Sequence, residues 1–278
     1  MPLKDKDSLV GTVSVAALLC VVCSFVVSFA AVSLRSKQDE NKLLDQQKNI
    51  LDATGLSTGE YGRTAKNLKR DQIDSLGEWI SAKLVDLETG EFKEATEEEI
   101  AEYDAKEAAG KDELRIEIAD QDPKFDPGEK YREKVAKVYF VKKPGEDRVR
   151  QVVLPVYGKG LWSTLRGYLA LKSDLKTIQG LTFYEHGETP GLGGEVDNPA
   201  WKAQWEGMQL FDAAGAPAVQ VYKGPAPNSA KDGVDGLSGA TITSRGVTNL
   251  LRYWASEDGY GPFLAKMETE LKQESGDN

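Results

Sequence analysis

Asp235-Gly236-Leu237-Ser238-Gly239-Ala240-Thr241 sets a carboxylate, two hydroxyls and a permissive glycine immediately ahead of a helix-forming segment. Helix N-termini attract anions, because their first N–H groups lack intrahelical acceptors and the helix dipole is positive there. Ser238 and Thr241 would add hydroxyls to such a site, Gly239 would let backbone approach closely, and Arg245 would add charge from the first turn. On these residues alone the stretch could hold a phosphate or could equally be a capped turn. It matches neither common nucleotide loop, since it has no Gly-Lys-Ser/Thr and no Gly-x-Gly-x-x-Gly. A second segment, Glu188-Thr189-Pro190-Gly191-Leu192-Gly193-Gly194, presents bare backbone to which a flat ligand fits, or forms a plain Pro-Gly turn. A third, Tyr157-Gly158-Lys159-Gly160-Leu161-Trp162-Ser163, offers glycines and Trp162 as a further wall, unless Trp162 is simply buried. His186 is the only histidine, and we assign it no acid–base role.

Composition narrows what chemistry these segments can serve. A formal charge of -10 and the lack of a basic stripe exclude nucleic acid as a partner, which needs clustered Lys and Arg. The only cysteines, Cys20 and Cys23, lie in an apolar run without a His, Asp or Glu beside them, so they read as filler rather than metal ligands. The rest of the chain has no thiol for a disulfide or a metal, so redox chemistry there requires a bound cofactor.

The elements that must position the three segments can be read from periodicity. No charge occurs from Ser8 to Leu34, enough for a transmembrane helix over 9–34, longer than the apolar stretch of a cleaved signal peptide. Residues 1–8 then form a cytoplasmic N-terminus, although Arg35, Lys37, Lys42 and Lys48 after the span lean, by charge counting, toward a cytoplasmic body. Residues 35–130 read as a helical and acidic linker and support region, with a helix continuing from the span, a second helix over Ile73–Leu87, and a solvated acidic face in 88–113. The segments LRIEIAD, AKVYFVKK, RVRQVVLPVYG, GYLALKSD and KTIQGLTFYEH predict strands of a twisted, mainly antiparallel sheet. Asn198-Pro199 opens a helix whose Trp201 and Trp205 belong to the core. ITSRGVTNLLRYWASEDG predicts a helix capped by Thr243 or Ser244 and closed near Gly259, leaving 265–278 as a tail. The fold class is α+β: a transmembrane helix, then a soluble domain of sheet flanked by helices, with the site in 131–264.

DGLSGATITS resembles the flavinylation motif Asp-x-x-Ser/Thr-Gly-Ala-Thr recognised by FMN transferases of the ApbE type. That resemblance implies FMN held covalently by a phosphoester to Thr241, delivered from FAD with Mg²⁺ and loss of AMP. ETPGLGG resembles the flavin-facing loop of the FMN-binding C and G subunits of the related Nqr and Rnf complexes, and Tyr157–Ser163 also looks like that family. The implied cofactor-binding set is Thr241, Ser238, Gly239, Ala240, Glu188, Thr189, Leu192, Gly193, Trp162 and Ser163, with no catalytic base and no metal. The run CSFVVSFAAVSLRSKQDENKLLDQQKNIL and GYGPFL extend the likeness to the C subunits of the sodium-translocating NADH:quinone oxidoreductases. This implies an electron-transfer component of an assembly of six subunits that oxidises NADH, reduces ubiquinone and exports Na⁺. It also implies an inner-membrane anchor with a periplasmic flavin domain, against the charge count, and here the resemblance is given the greater weight. The alternatives are the Rnf G subunit, a stand-alone flavinylated reductase, or a tethered interaction module in which Ser-Gly-Ala-Thr is only a turn.

Overall fold

The computed structural model describes residues 9–119, 122–146 and 148–274. The expected N-terminus 1–8 and residues 275–278 of the expected tail lie outside the described residues. Contacts divide the chain between Gln46 and Gln47. Helix α1 is Leu9–Thr54, and its Leu9–Arg35 portion, with a mean hydropathy of 2.7, is long and apolar enough to cross a membrane.

In chain order, α2 is Leu56–Tyr61, α3 Arg70–Gly77, β1 Ile80–Asp86 and β2 Phe92–Lys93. The short helices α4 (Glu97–Glu102) and α5 (Ala105–Gly110) carry the exposed acidic run, and Thr96 caps α4 through a capping box with Glu99. Then come β3 (Arg115–Glu117), β4 (Tyr131–Glu133), β5 (Val135–Val141), β6 (Gln151–Lys159), β7 (Thr164–Lys172) and β8 (Ile178–Glu185). The chain closes with α6 (Pro199–Ala203), β9 (Gln220–Val221), β10 (Gly233–Val234), α7 (Thr241–Ala255) and α8 (Gly261–Glu274).

The main sheet has six strands in the order β2-β1-β5-β6-β7-β8, antiparallel throughout. One face carries the larger core. There α7 lies along β6, with Val247, Leu250, Leu251 and Trp254 buried. Trp254 Nε1 donates to the carbonyl of Tyr157 (2.8 Å) and Tyr260 Oη to that of Pro155 (2.8 Å), which fixes the helix's axial position on the strand. The other face is covered by the end of α1, whose Ile50 and Ala53 pack on Tyr139, Val153, Tyr168 and Ala170. Gly180 is needed there, because a Cβ on it would stand 2.5 Å from the Ala53 carbonyl oxygen.

Three expectations change. The helix expected over Ile73–Leu87 is α3 followed by the strand β1, which pairs with β5 over its whole length. The stripe Leu76, Trp79, Ile80, Leu84 fitted a helical period, but ladder bonds on both sides of ISAKLVD outweigh that local preference. Residues 80–86, in the expected support region, therefore share a sheet with the strands beyond 131. Where a tail was expected from 265, α8 runs to Glu274, burying Met267 and packing Leu271 against the core. Lastly, α7 begins at Thr241 with Ala240 as N-cap and no side-chain cap, three or four residues before the expected caps Thr243 or Ser244. Both hydroxyls are spent elsewhere: Ser244 Oγ accepts from Leu237 N–H (3.1 Å), and Thr243 donates to Glu188.

Candidate functional site

The three chemistry-bearing segments converge on one buried carboxylate. The loop 160–163 joins β6 to β7, the loop 186–194 follows β8, and residues 236–245 lead into α7. Glu188, 6% exposed, accepts from the N–H groups of Leu161 (3.1 Å), Trp162 (3.0 Å) and, at the long limit, Ser163 (3.4 Å). Its second oxygen accepts from Thr243 Oγ1 at 2.6 Å. Burial pushes the Glu188 carboxyl up, but the Thr243 hydroxyl and the three N–H groups outweigh it and hold the carboxyl below its usual range. It is therefore an anion at neutral pH that knots the three segments together.

Close packing at the knot depends on glycine. A Cβ on Gly160 would lie 2.5 Å from Glu188 Oε1, and one on Gly193 would lie 2.6 Å from both Glu188 Oε2 and Thr243 Oγ1. His186 braces the same loop: its Nδ1 accepts from Glu188 N–H (3.2 Å) while Nε2 meets Asp197 (2.9 Å), so the ring is a bracket with both nitrogens occupied. Ser163 donates its N–H to Glu188 and accepts from Gly187 N–H at its hydroxyl (2.6 Å). Thr189 is exposed, and its carbonyl accepts from Leu192 and Gly194.

Apolar side chains stand in solvent around this knot. Leu161, Trp162, Leu192 and Ile242 are 46, 71, 43 and 46% exposed, and they are half of the eight exposed large apolar side chains that follow α1 among the described residues. Such a cluster is costly unless something flat and apolar covers it. Gly239, at φ +71°, brings the turn against it: a Cβ there would be 2.9 Å from Leu192 Cδ2. Ser238 and Gly239 are exposed and Ala240 is buried.

Thr241 belongs to a different face. At 100° per residue, Thr241, Ser244, Arg245, Thr248, Asn249 and Arg252 form one stripe of α7, opposite Thr243, Val247, Leu250 and Trp254. That stripe lines an open cleft of about 390 Å³, whose other walls are Gln220–Gly224, Gly236–Leu237 and Pro123–Lys124. The Thr241 hydroxyl, exposed at the first helical position, thus lies between an apolar shelf and a cleft carrying Arg245, Arg252, Lys124 and Lys223. This surrounding suits a phosphoester bearing a flat ring. The knot itself escaped the sequence reading: Thr243 was expected only as a helix cap, and a buried partner 55 residues away leaves no local signal.

Residues 160–256, which span the loops 160–163 and 186–194, the turn ahead of α7 and α7 itself, match the family model of the FMN-binding domain. Over 95% of its length the chain is 47% identical to the C subunit of the Na(+)-translocating NADH-quinone reductase of Pseudomonas aeruginosa, covering 97% of that protein. It is 42% identical to the protein of the same name from Yersinia pestis, over 95% of each chain. The crystal structure of Shewanella oneidensis NqrC superposes with a TM-score of 0.72 at 32% identity, over 85% of this chain and all of that one. The C subunit from Parabacteroides distasonis follows at 0.61 and 29% identity, over 83% of this chain and 96% of that one.

Proposed function

The chain belongs to the family of C subunits of the Na(+)-translocating NADH-quinone reductases, and from that premise we propose that it carries FMN as a phosphoester on Thr241. The observation that supports this reading above all others is the position of the Thr241 hydroxyl, exposed on the first turn of α7 between an apolar shelf and a cationic cleft. When bound, FMN supplies one- and two-electron redox chemistry. The chain's own part is to hold and orient. Leu161, Trp162, Leu192 and Ile242 offer the ring an apolar seat, and Ser238, Gly239, Ala240 and Thr189 shape its approach. Arg245, one helical turn beyond Thr241, neutralises the phosphoester. Glu188, Gly193 and Ser163 keep the seat in register.

In this reading the protein passes electrons within an inner-membrane assembly of six subunits that oxidises NADH, reduces ubiquinone and exports Na⁺, and it has little activity alone. Residues 9–34 anchor it, the body is periplasmic, and an ApbE-type transferase loads it during maturation. Co-expression with such a transferase followed by a denaturing gel under ultraviolet light tests the attachment. The full-length band should fluoresce and the Thr241→Ala band should not, and fluorescence surviving in Thr241→Ala would overturn the assignment. Copurification with Na⁺-stimulated NADH:quinone activity tests the assembly.

A further inference from the structure

The loop after β8 is braced by an imidazole whose neighbours select one protonation state. A main-chain N–H can only donate, so the Glu188 N–H, 3.2 Å from His186 Nδ1, requires a lone pair on that nitrogen. The ring proton then sits on Nε2 and is donated to the Asp197 carboxylate at 2.9 Å. Asp197 precedes Asn198, which caps α6 by accepting from Ala200 N–H (2.9 Å). That helix and the residue after it grip the backbone of Asp235: Trp201 Nε1 donates to its carbonyl (2.8 Å), and Gln204 Oε1 accepts from its N–H (3.0 Å). His186 thus ties the loop that carries Leu192 to the segment leading into Thr241, by a route separate from the Glu188–Thr243 bond. The charged groups near it are few. Asp197 touches the ring and the Glu188 backbone donates to it, Glu185 pairs with Lys106 (3.0 Å) and Arg166 (3.9 Å), and Glu195 accepts from Asn198 Nδ2 (2.7 Å). From the loop 160–163, Ser163 brings a hydroxyl to Gly187 N–H and no charge. The Asp197 side chain is 54% exposed and the ring 14%, so solvent protons reach it.

We infer that His186 is a positioning residue for the flavin seat and that it holds the loop 186–194 only while its ring is neutral, an inference resting on Leu192 lining that seat. A proton taken from solvent by Nδ1 turns the acceptor into a donor and sets one N–H against another. The Glu188 N–H then loses its partner. The Nε2–H bond to Asp197 survives in both states, so the ring stays moored beside α6 while the loop backbone lets go. The Glu188 carboxyl, held below its usual range, remains ionised and keeps its bonds to Leu161 and Trp162. One proton therefore divides the seat: Leu161 and Trp162 stay in place, and Leu192 is freed to move against them. No proton passes between the ring and the flavin, so the role is one of position and not of acid–base catalysis. With the body on the periplasmic side, as proposed, this ring makes the electron carrier responsive to the pH outside the membrane.

The test uses the full chain in detergent without a histidine tag, so that the ring nitrogens of its single histidine are read without ambiguity. In protein expressed without the transferase, their shifts at neutral pH should show the Nε2–H tautomer. As pH falls, protection of the Glu188 amide against hydrogen exchange should drop about tenfold, the worth of one neutral hydrogen bond, at the midpoint of the ring's own titration. Protection at Leu161 and Trp162 should hold over that range. His186→Asn keeps an acceptor for the N–H two residues on, as in an Asx turn, and has no proton to gain, so its Glu188 amide should stay protected throughout. His186→Leu should have lost that protection at every pH. In transferase-loaded protein the visible spectrum or midpoint potential of the flavin should step at the ring's midpoint in wild type and show no step in His186→Asn. A ring that is charged or carries Nδ1–H at neutral pH overturns the inference, as does one that takes no proton before the fold melts. So does a Glu188 amide indifferent to the ring, or a loss of protection that Leu161 and Trp162 share. The exchange measurement needs no flavin, so the two readings fail separately. A fluorescent band with an exchange step and no flavin step removes the tie to the seat and spares Thr241, while a dark band with an exchange step removes Thr241 and spares the latch.

Discussion

Glu188→Gln removes the charge of the buried knot while keeping its shape. The side-chain oxygen of Gln can take the place of Oε1 under the N–H groups of Leu161 and Trp162, and its amide nitrogen then faces Thr243, whose hydroxyl turns round to accept. No bond need vanish, but three change from charge-assisted to neutral. A hydrogen bond to a charged group contributes about 1.5–3 kcal/mol and a neutral one about 0.5–1.5, so the substitution should cost about 3 kcal/mol, counting the long Ser163 contact as nothing. Hydrogen exchange reads this directly, because the amides of Leu161 and Trp162 are the donors. Their protection should fall about a hundredfold in the variant, while that of β6 and β7 changes little, since the loop opens locally. The acid limb supplies an independent sign. Glu188 titrates below the ordinary value of 4.5, so its contribution is complete above that pH and is lost as pH falls through the lower folded value. Wild-type protection at Leu161 and Trp162 should therefore persist at 4.5 and drop in stronger acid, with no such step in the variant. Equal exchange rates in the two proteins at neutral pH would refute the claim that an ionised Glu188 holds the loop.

Gly193→Ala drives a methyl against Glu188 and Thr243, both fixed by their mutual bond, and should destabilise by about 1–3 kcal/mol in denaturant unfolding. Trp162→Ala should change stability by no more than about 0.5 kcal/mol, since the ring is 71% exposed, yet it should shift the visible spectrum or potential of flavin-loaded protein. Buried Glu133 is pushed up by desolvation despite the Tyr157 hydroxyl donating to it at 2.6 Å. Its folded form holds its proton more tightly than the unfolded chain, so it subtracts stability as pH rises above 4.5, and Glu133→Gln should flatten this decline in melts run upward from that pH.

Much of the sheet was legible because β5 to β8 are apolar runs punctuated by Gly, Pro and Asp turns, and each pairs with its neighbour in sequence. The strand β1 was not, because ISAKLVD satisfies a helical stripe as well as an alternation, and only its pairing with the distant β5 decides between them. The start of α7 was misjudged for a related reason. Thr243 and Ser244 are good local caps, and nothing adjacent in the chain says that a distant carboxylate and a backward turn will claim their hydroxyls. At the site, the three segments were readable one by one, and their union was not. Glycine requirements at 160 and 193 come from Glu188 pressing on both, a relation that exists only once β6, β8 and α7 are assembled.

The last turns of α1 carry a consequence for modularity. Ile50, Leu51 and Ala53 are as buried as any sheet residue, Asp52 accepts from the Ser57 hydroxyl and from Ala65 N–H, and Gly180 is shaped to receive the Ala53 carbonyl. These residues are covalently part of the first helix but energetically part of the body. The seam at which anchor and cargo can be exchanged therefore lies ahead of Gln47 rather than at the end of the apolar run or of the helix. Swapping the hydrophobic segment leaves the electron carrier intact, whereas a cut placed at the helix terminus would strip one face of its sheet.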